Sequence, residues 1–188
     1  MTPDADLAHR PVPTIVIDQA RSAADLDAAR TLFLEYIHAP GWEPEFGAYL
    51  AQQAFEAELA QLPGPYAPPA GALLLARVDG QLAGCVACKP LDPPTICEMK
   101  RLFVRPTFRA LGVGEQLVRR VMAVASDAGY ERMRLDTLPS MRAAQQLYRR
   151  LGFEEIPAYC ANPVPGAYFM QCRLEMTAPS EGSMASPT

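Results

Sequence analysis

Histidine and lysine are nearly absent from this chain of 188 residues: His9 and His38 are its only histidines, Lys89 and Lys100 its only lysines. So little imidazole removes the raw material for His-rich zinc sites and for a Ser-His-Asp triad. No apolar run approaches the ~18 residues of a membrane span. Asp4 and Asp6 stand where a secretory leader needs an apolar segment, so the reading is a cytoplasmic protein with no membrane partner. Positive charge is in deficit, 17 Lys+Arg against 21 Asp+Glu for a net −4, and the arginines form no tract. That balance excludes a general polyanion-binding surface and with it a nucleic-acid partner. The cysteines, Cys85, Cys88, Cys97, Cys160 and Cys172, are odd in number and read as free thiols. Cys85 and Cys88 form a C-x-x-C inside the alternating stretch Leu82 to Cys88, and on a strand residues three apart point to opposite faces. They cannot readily share a metal, and no metal site is expected.

What is present, 49% hydrophobic and 20% charged residues, is the composition of one ordinary globular domain. Pro3, Pro11 and an acid pair mark residues 1–12 as a flexible arm. Ala178-Pro179-Ser180-Glu181-Gly182-Ser183 marks 177–188 as a disordered tail, leaving a folded domain over 13–176. Thr14 to Ile17 reads as a strand, and Ser22-x-x-Asp25 as a capping box opening a helix with Leu26, Ala29, Phe33 and Ile37 on one face. A second helix is expected from about Phe46 to Leu62, ending at the breakers Pro63 to Pro69. Ala72 to Val78 and Gln81 to Lys89 flank Asp79-Gly80, a strong hairpin signal. Ile96 to Val104 is a further strand, Glu115 to Ala128 a helix, Arg132 to Leu138 a strand. Ser140 is placed as the cap of a helix running to Leu151, and Phe153 to Tyr159 and Tyr168 to Met176 are the last strands. The order β-α-α-β-β-β-α-β-α-β-β implies a mixed sheet carrying helices on its faces.

The segment richest in chemistry follows Val104, where a loop leads to Gly112 and Gly114 at the start of a helix. Glycine lets the backbone approach a ligand closely, and the N–H groups of a first helical turn make an anion site. Arg109 adds fixed positive charge, so the natural ligand is a phosphate or pyrophosphate. Two other readings exist. The glycines can be turn chemistry alone. A Rossmann nucleotide turn would use Asp136, but Leu117 falls on its third glycine position and seven residues separate Val104 from Gly112.

Leu102-Phe103-Val104-Arg105-Pro106, followed by Arg109-Ala110-Leu111-Gly112-Val113-Gly114, resembles the acyl-CoA pyrophosphate loop of the GNAT acetyltransferase superfamily. Ala144-Gln145-Gln146-Leu147-Tyr148-Arg149-Arg150-Leu151-Gly152-Phe153 is similar to that family's A-x-x-L-Y-x-x-x-G-F helix. The resemblance covers roughly residues 14–176. It implies an α/β (α+β) fold: a mixed, mostly antiparallel twisted sheet of about six to seven strands with helices on both faces. It further implies acetyl-CoA as cofactor, held by Leu102, Phe103 and Val104 along the pantetheine arm and by Arg109, Ala110, Leu111, Gly112, Val113 and Gly114 at the pyrophosphate. Ser140 and Ala144 would line the arm. Ala110 replaces a frequent Gly, and Met141 stands where many members carry an Asn, leaving Ser140 as the nearest polar substitute.

By the same resemblance Tyr148 protonates the departing thiolate; its plain alternative is an aromatic packed with Leu147 and Leu151. An ammonium must lose a proton before it attacks a thioester. Glu98 is the first candidate base because, absent a bulge, it alternates to the face of Leu102 and Val104; Glu43 and Glu45 are alternatives. A Glu98 merely paired with Lys100 or Arg101 is the competing reading. Tyr36, Trp42 and Glu43 are expected to wall the acceptor pocket. The expected activity is N-acetyl transfer to a primary amine, on a small molecule or a peptide, in a ternary complex. A non-catalytic CoA-binding sensor or partner module is the alternative, and a homodimer is plausible from exposed strand edges.

Overall fold

The computed structural model describes residues 12–39, 47, 50 and 54–175. The expected arm and tail, and the candidate residues Trp42, Glu43 and Glu45, lie outside the described residues. Strand β1 (Ile15–Gln19) leads into α1 (Ala23–Ile37). Ser22 caps α1 through the expected reciprocal box, its hydroxyl accepting from Asp25 N–H while the Asp25 carboxylate accepts from Ser22 N–H. The helix expected from about Phe46 to Leu62 is not continuous. Gly47 and Leu50 are helical, but Ala54 adopts a left-handed φ of 49°, and α2 begins only at Phe55, running to Gln61. The apolar period continues across this break, which is why the periodicity did not register it.

β2 (Ala72–Val78) and β3 (Gln81–Pro90) form the hairpin over Asp79-Gly80, both turn residues with positive φ. β4 (Ile96–Val104), α3 (Val113–Asp127), β5 (Arg132–Thr137), α4 (Arg142–Arg150), β6 (Glu154–Ile156) and β7 (Tyr168–Arg173) complete the chain. β6 and β7 are shorter than the spans read from sequence. Helix α4 is capped at Met141 with no side-chain cap bond, so Ser140 is not its cap.

The seven strands lie in the order β1-β2-β3-β4-β5-β7-β6, every neighbouring pair antiparallel except β4 and β5. Each face of the sheet carries its own core. One, built on Leu74, Val86, Met99, Leu117, Val121, Met133 and Tyr148, packs under α3 and α4. The other, built on Phe33, Tyr66, Leu73, Leu75 and Phe103, packs under α1 and α2. Cys85 falls in the second and Cys88 in the first, so the C-x-x-C thiols do point to opposite faces. Among the described residues no helix is long and apolar enough to cross a membrane.

Candidate active site

The site begins where two strands part. β4 and β5 pair in parallel only at Ile96, Cys97 and Glu98, opposite Arg132, Met133 and Arg134. Beyond Glu98 both strands continue without pairing to each other. Arg105 N–H donates to the Ala83 carbonyl at 2.9 Å, so alternation turns the amides of Leu102 and Val104 away from β3, into the opening. An unpaired strand edge inside a domain is a row of donors and acceptors awaiting a partner. In this structure the Val104 carbonyl accepts from Arg109 Nε at 3.2 Å.

The opening is held by specific contacts. Arg105 grips Glu35 of α1 through Nε at 2.8 Å and a terminal nitrogen at 2.7 Å, and donates to the Leu82 carbonyl at 2.8 Å. A Cβ at Gly84 would collide with the Phe103 carbonyl, so the bare α-carbon lets β3 support the last residues of β4.

β4 also carries a bulge. The register against β3 slips between Cys85 and Ala87, and Arg101 takes a left-handed φ of 57°. The extra residue reverses the alternation: Met99, Leu102 and Val104 pack on the α3 face, while Phe103 packs on the α1 face. Glu98 therefore does not share a face with Leu102 and Val104, contrary to the count made without a bulge. The Arg101 guanidinium is buried against Glu58 of α2, with Nε 3.0 Å from Oε1, and lies 5.1 Å above the Phe55 ring. The Tyr66 hydroxyl donates to the same Glu58 oxygen at 2.7 Å.

Three spaces meet around the opening. A groove of about 380 Å³ is lined by Leu102, Phe103, Val104, Arg109, Gly114 and Ser140, continuing past Met141 and Ala144 to Leu147. At its end Gly112 (φ 77°) starts α3 from the left-handed region, and Val113, Gly114 and Glu115 form the first turn, whose N–H groups have no partner within the helix. Ala110, at the position where the family often has glycine, holds a φ of 67°. Leu111 is exposed beside it. Phe103 borders the groove with Tyr36, and its ring belongs to the α1-face core, meeting Tyr36 edge-on at 6.2 Å.

Between the strands a small crevice holds Tyr36, Lys100, Asp136 and Tyr148. Tyr148 is buried beside Phe153, at 5.7 Å between ring centres, and its hydroxyl has no hydrogen-bond partner among the described residues. Burial, then the neighbouring Tyr36 and the Asp136 charge, push its hydroxyl well above the ordinary phenol range, so it keeps its proton. Burial raises Tyr36 likewise.

The third space contains Glu98, and its environment is richer than the pattern suggested. Glu98 accepts from the Tyr159 hydroxyl at 2.8 Å and lies 3.2 Å from Lys89 Nζ and 3.6 Å from Lys100 Nζ. Lys100 is also 3.4 Å from Asp136, which accepts from the Asn162 side chain at 2.9 Å. The expected pairing with Lys100 is present, while Arg101 pairs with Glu58. Asp136 enters the sequence reading only through the Rossmann alternative, and Tyr159 and Asn162 do not enter it at all, since they reach the site only through the β6–β7 loop. A usable signal exists in the chain's two lone lysines, which fall on adjacent strands, Lys89 near the end of β3 and Lys100 in the middle of β4. Among the described residues no cluster of His, Cys, Asp or Glu suits a metal ion.

A model of the acetyltransferase (GNAT) family matches residues 31–153. An uncharacterized N-acetyltransferase from Schizosaccharomyces pombe is 40% identical over 164 residues, covering 87% of this chain and 96% of the relative. Among solved structures, a GNAT-family acetyltransferase from Staphylococcus aureus superposes with a TM-score of 0.67 at 18% identity, covering 86% of this chain and all of that one. The PaiA N-acetyltransferase from Thermoplasma acidophilum, solved with coenzyme A, superposes at 0.65 with 17% identity over 85% of this chain and 99% of that one. These two share the fold. The matched segment runs from α1 through the parted strands to the end of α4, and with the fission-yeast likeness over nearly the whole length it makes this chain a member of the GNAT acetyltransferase family.

Proposed function

We propose that the chain is an N-acetyltransferase that moves an acetyl group from acetyl-CoA to a primary amine by direct attack in a ternary complex. The observation that carries this reading is the parting of β4 from β5, which leaves Leu102 and Val104 with an open backbone edge facing a groove that ends at a buried tyrosine. That edge suits an amide-bearing arm, which would complete the β4 ladder in place of a strand. The first-turn N–H groups of α3 and the Arg109 guanidinium suit a pyrophosphate. Ser140 and Ala144 border the arm. Gly114 leaves room there, because a Cβ would make only ordinary contacts, 3.7 Å to Val104 and 3.8 Å to Leu147.

Bound acetyl-CoA supplies a thioester whose carbonyl carbon accepts the amine and whose sulfur leaves with the bonding electron pair. Tyr148 holds the proton that the departing sulfur takes up, at a hydroxyl kept protonated by burial. The acceptor ammonium first gives one proton to a carboxylate, either Asp136 in the crevice or Glu98 in the adjoining space, and the neutral amine so formed attacks. Tyr36 closes the crevice from α1. A CoA-binding module without transfer is the second reading, favoured by Met141 in the groove where the family often has a polar amide.

The test is thiol release from acetyl-CoA across a panel of primary amines, with Tyr148→Phe alongside. Turnover by the native chain and a loss of about 100-fold or more in kcat for the variant are expected. Full turnover by the variant removes Tyr148 from the mechanism. Binding without turnover on every amine selects the second reading.

A further inference from the structure

Beyond the crevice, on the α2 side, lies a cavity of about 480 Å³ lined by Glu58, Tyr66, Lys89, Glu98, Lys100 and Tyr159. It shares Lys100 with the crevice that holds Tyr148, so the two spaces adjoin. Its charges form a row. Lys89 Nζ is 3.2 Å from Glu98, Glu98 is 3.6 Å from Lys100, and Lys100 is 3.4 Å from Asp136. Cation and anion alternate from the mouth to the reacting end. Except for Lys89, whose side chain is 33% exposed, every side chain in the row is nearly buried.

The two ends of the row differ in what they offer. Lys89, at the mouth, has Glu98 as its partner among the described residues, and an ammonium carries three N–H donors, so it can also bind an incoming anion. Asp136, at the inner end, faces the crevice with Tyr148 and presents negative charge to an amine. A molecule entering this way meets fixed positive charge first and negative charge last. This chain has 17 basic residues, yet both of its lysines stand in this one cavity. Arginine would present a planar fork already fixed in direction, whereas lysine's compact ammonium can serve a carboxylate on each side.

We propose that the acceptor is an aminocarboxylate: an amine carrying its own carboxylate, which seats on Lys89 while the amino group reaches past Lys100 to Asp136 and Tyr148. The proposal rests on the acetyltransferase reading and narrows its substrate class. The carboxylate is left unchanged by the transfer and serves only to orient the amine. A monoamine without a carboxylate, a polyamine or a cationic antibiotic lacks the group that matches the outer end of the row.

The test is a calorimetric titration of the full chain loaded with coenzyme A, which binds without turnover. The probes are glycine, β-alanine, 4-aminobutyrate, 6-aminohexanoate, aspartate and glutamate, each beside its carboxamide. The native chain, Lys89→Gln and Lys89→Arg are compared. At least one aminocarboxylate is expected to bind about tenfold or more tightly than its carboxamide, with Lys89→Gln erasing that margin and Lys89→Arg restoring part of it. Equal binding of acid and carboxamide, an unchanged margin in Lys89→Gln, or no bound probe on a chain that does bind coenzyme A each overturns the aminocarboxylate proposal and leaves the transferase reading standing. Failure to bind coenzyme A overturns the transferase reading, and this proposal falls with it.

Discussion

Single residues carry contributions that can be separated from the site as a whole. Hydrogen bonds from the Ser22 side chain, the Ser22 backbone and the Arg21 backbone hold the Asp25 carboxyl down at about 2, below its ordinary 3.8. Because the folded-state value is the lower one, this contribution is complete above the ordinary carboxylate range and disappears as pH falls through about 2. Ser22→Ala should cost about 1 kcal/mol in urea unfolding at neutral pH, and the deficit should shrink in strong acid. Ala110 sits at a φ of 67°, where any side chain is strained and glycine is not. Ala110→Gly should therefore raise stability by about 0.5 kcal/mol or more, the strain relieved exceeding the entropy lost, as read from the denaturant midpoint.

At the scale of elements, the bulge in β4 decides which side chains reach which face. Arg101 makes that bulge, and α2 anchors it through Glu58 and Phe55, with Tyr66, just beyond the helix, donating to the same Glu58 carboxylate. Glu58→Ala removes the carboxylate opposite a charge buried to 5% exposure. A destabilisation of about 3 kcal/mol is expected in urea unfolding, well beyond the cost of a surface pair. Much of the architecture was legible in the sequence because its signals are local. Asp79-Gly80 sets a turn whatever surrounds it, and Ser22 and Asp25 form their cap within one helical turn. The bulge was not legible, since nothing in Lys100-Arg101-Leu102 announces a left-handed arginine whose reason lies in a helix some forty residues away. The misassigned face of Glu98 follows directly from it. The Ser140 cap failed because Pro139-Ser140 has the right composition while the backbone enters α4 one residue later, at Met141. The left-handed Ala54 is not legible for a related reason: periodicity records which face is apolar and says nothing about the backbone conformation of one residue.

The whole molecule is a sheet with two separate cores and one gap. The groove and the charged cavity open from opposite sides of the parted strands and meet at Tyr36, Lys100, Asp136 and Tyr148. The loop proposed to hold a pyrophosphate is marked by a short motif, because backbone geometry and glycine placement suffice to shape it. The charged cavity proposed for the acceptor is not, because it is assembled from β3, β4, β5 and the β6–β7 loop, each contributing one or two polar groups. The central claim, that the open β4 edge and the start of α3 hold acetyl-CoA, is tested most directly by calorimetric titration of the native chain and Gly114→Asp, with NADH as control. A Cβ at this position makes only ordinary contacts, and the added carboxylate belongs to the first turn of α3, where negative charge favours the helix, so the variant should stay folded while repelling a pyrophosphate. The account predicts saturable binding of acetyl-CoA by the native chain, none by Gly114→Asp and none of NADH by either. Equal binding by the variant, or NADH binding in place of acetyl-CoA, would contradict it.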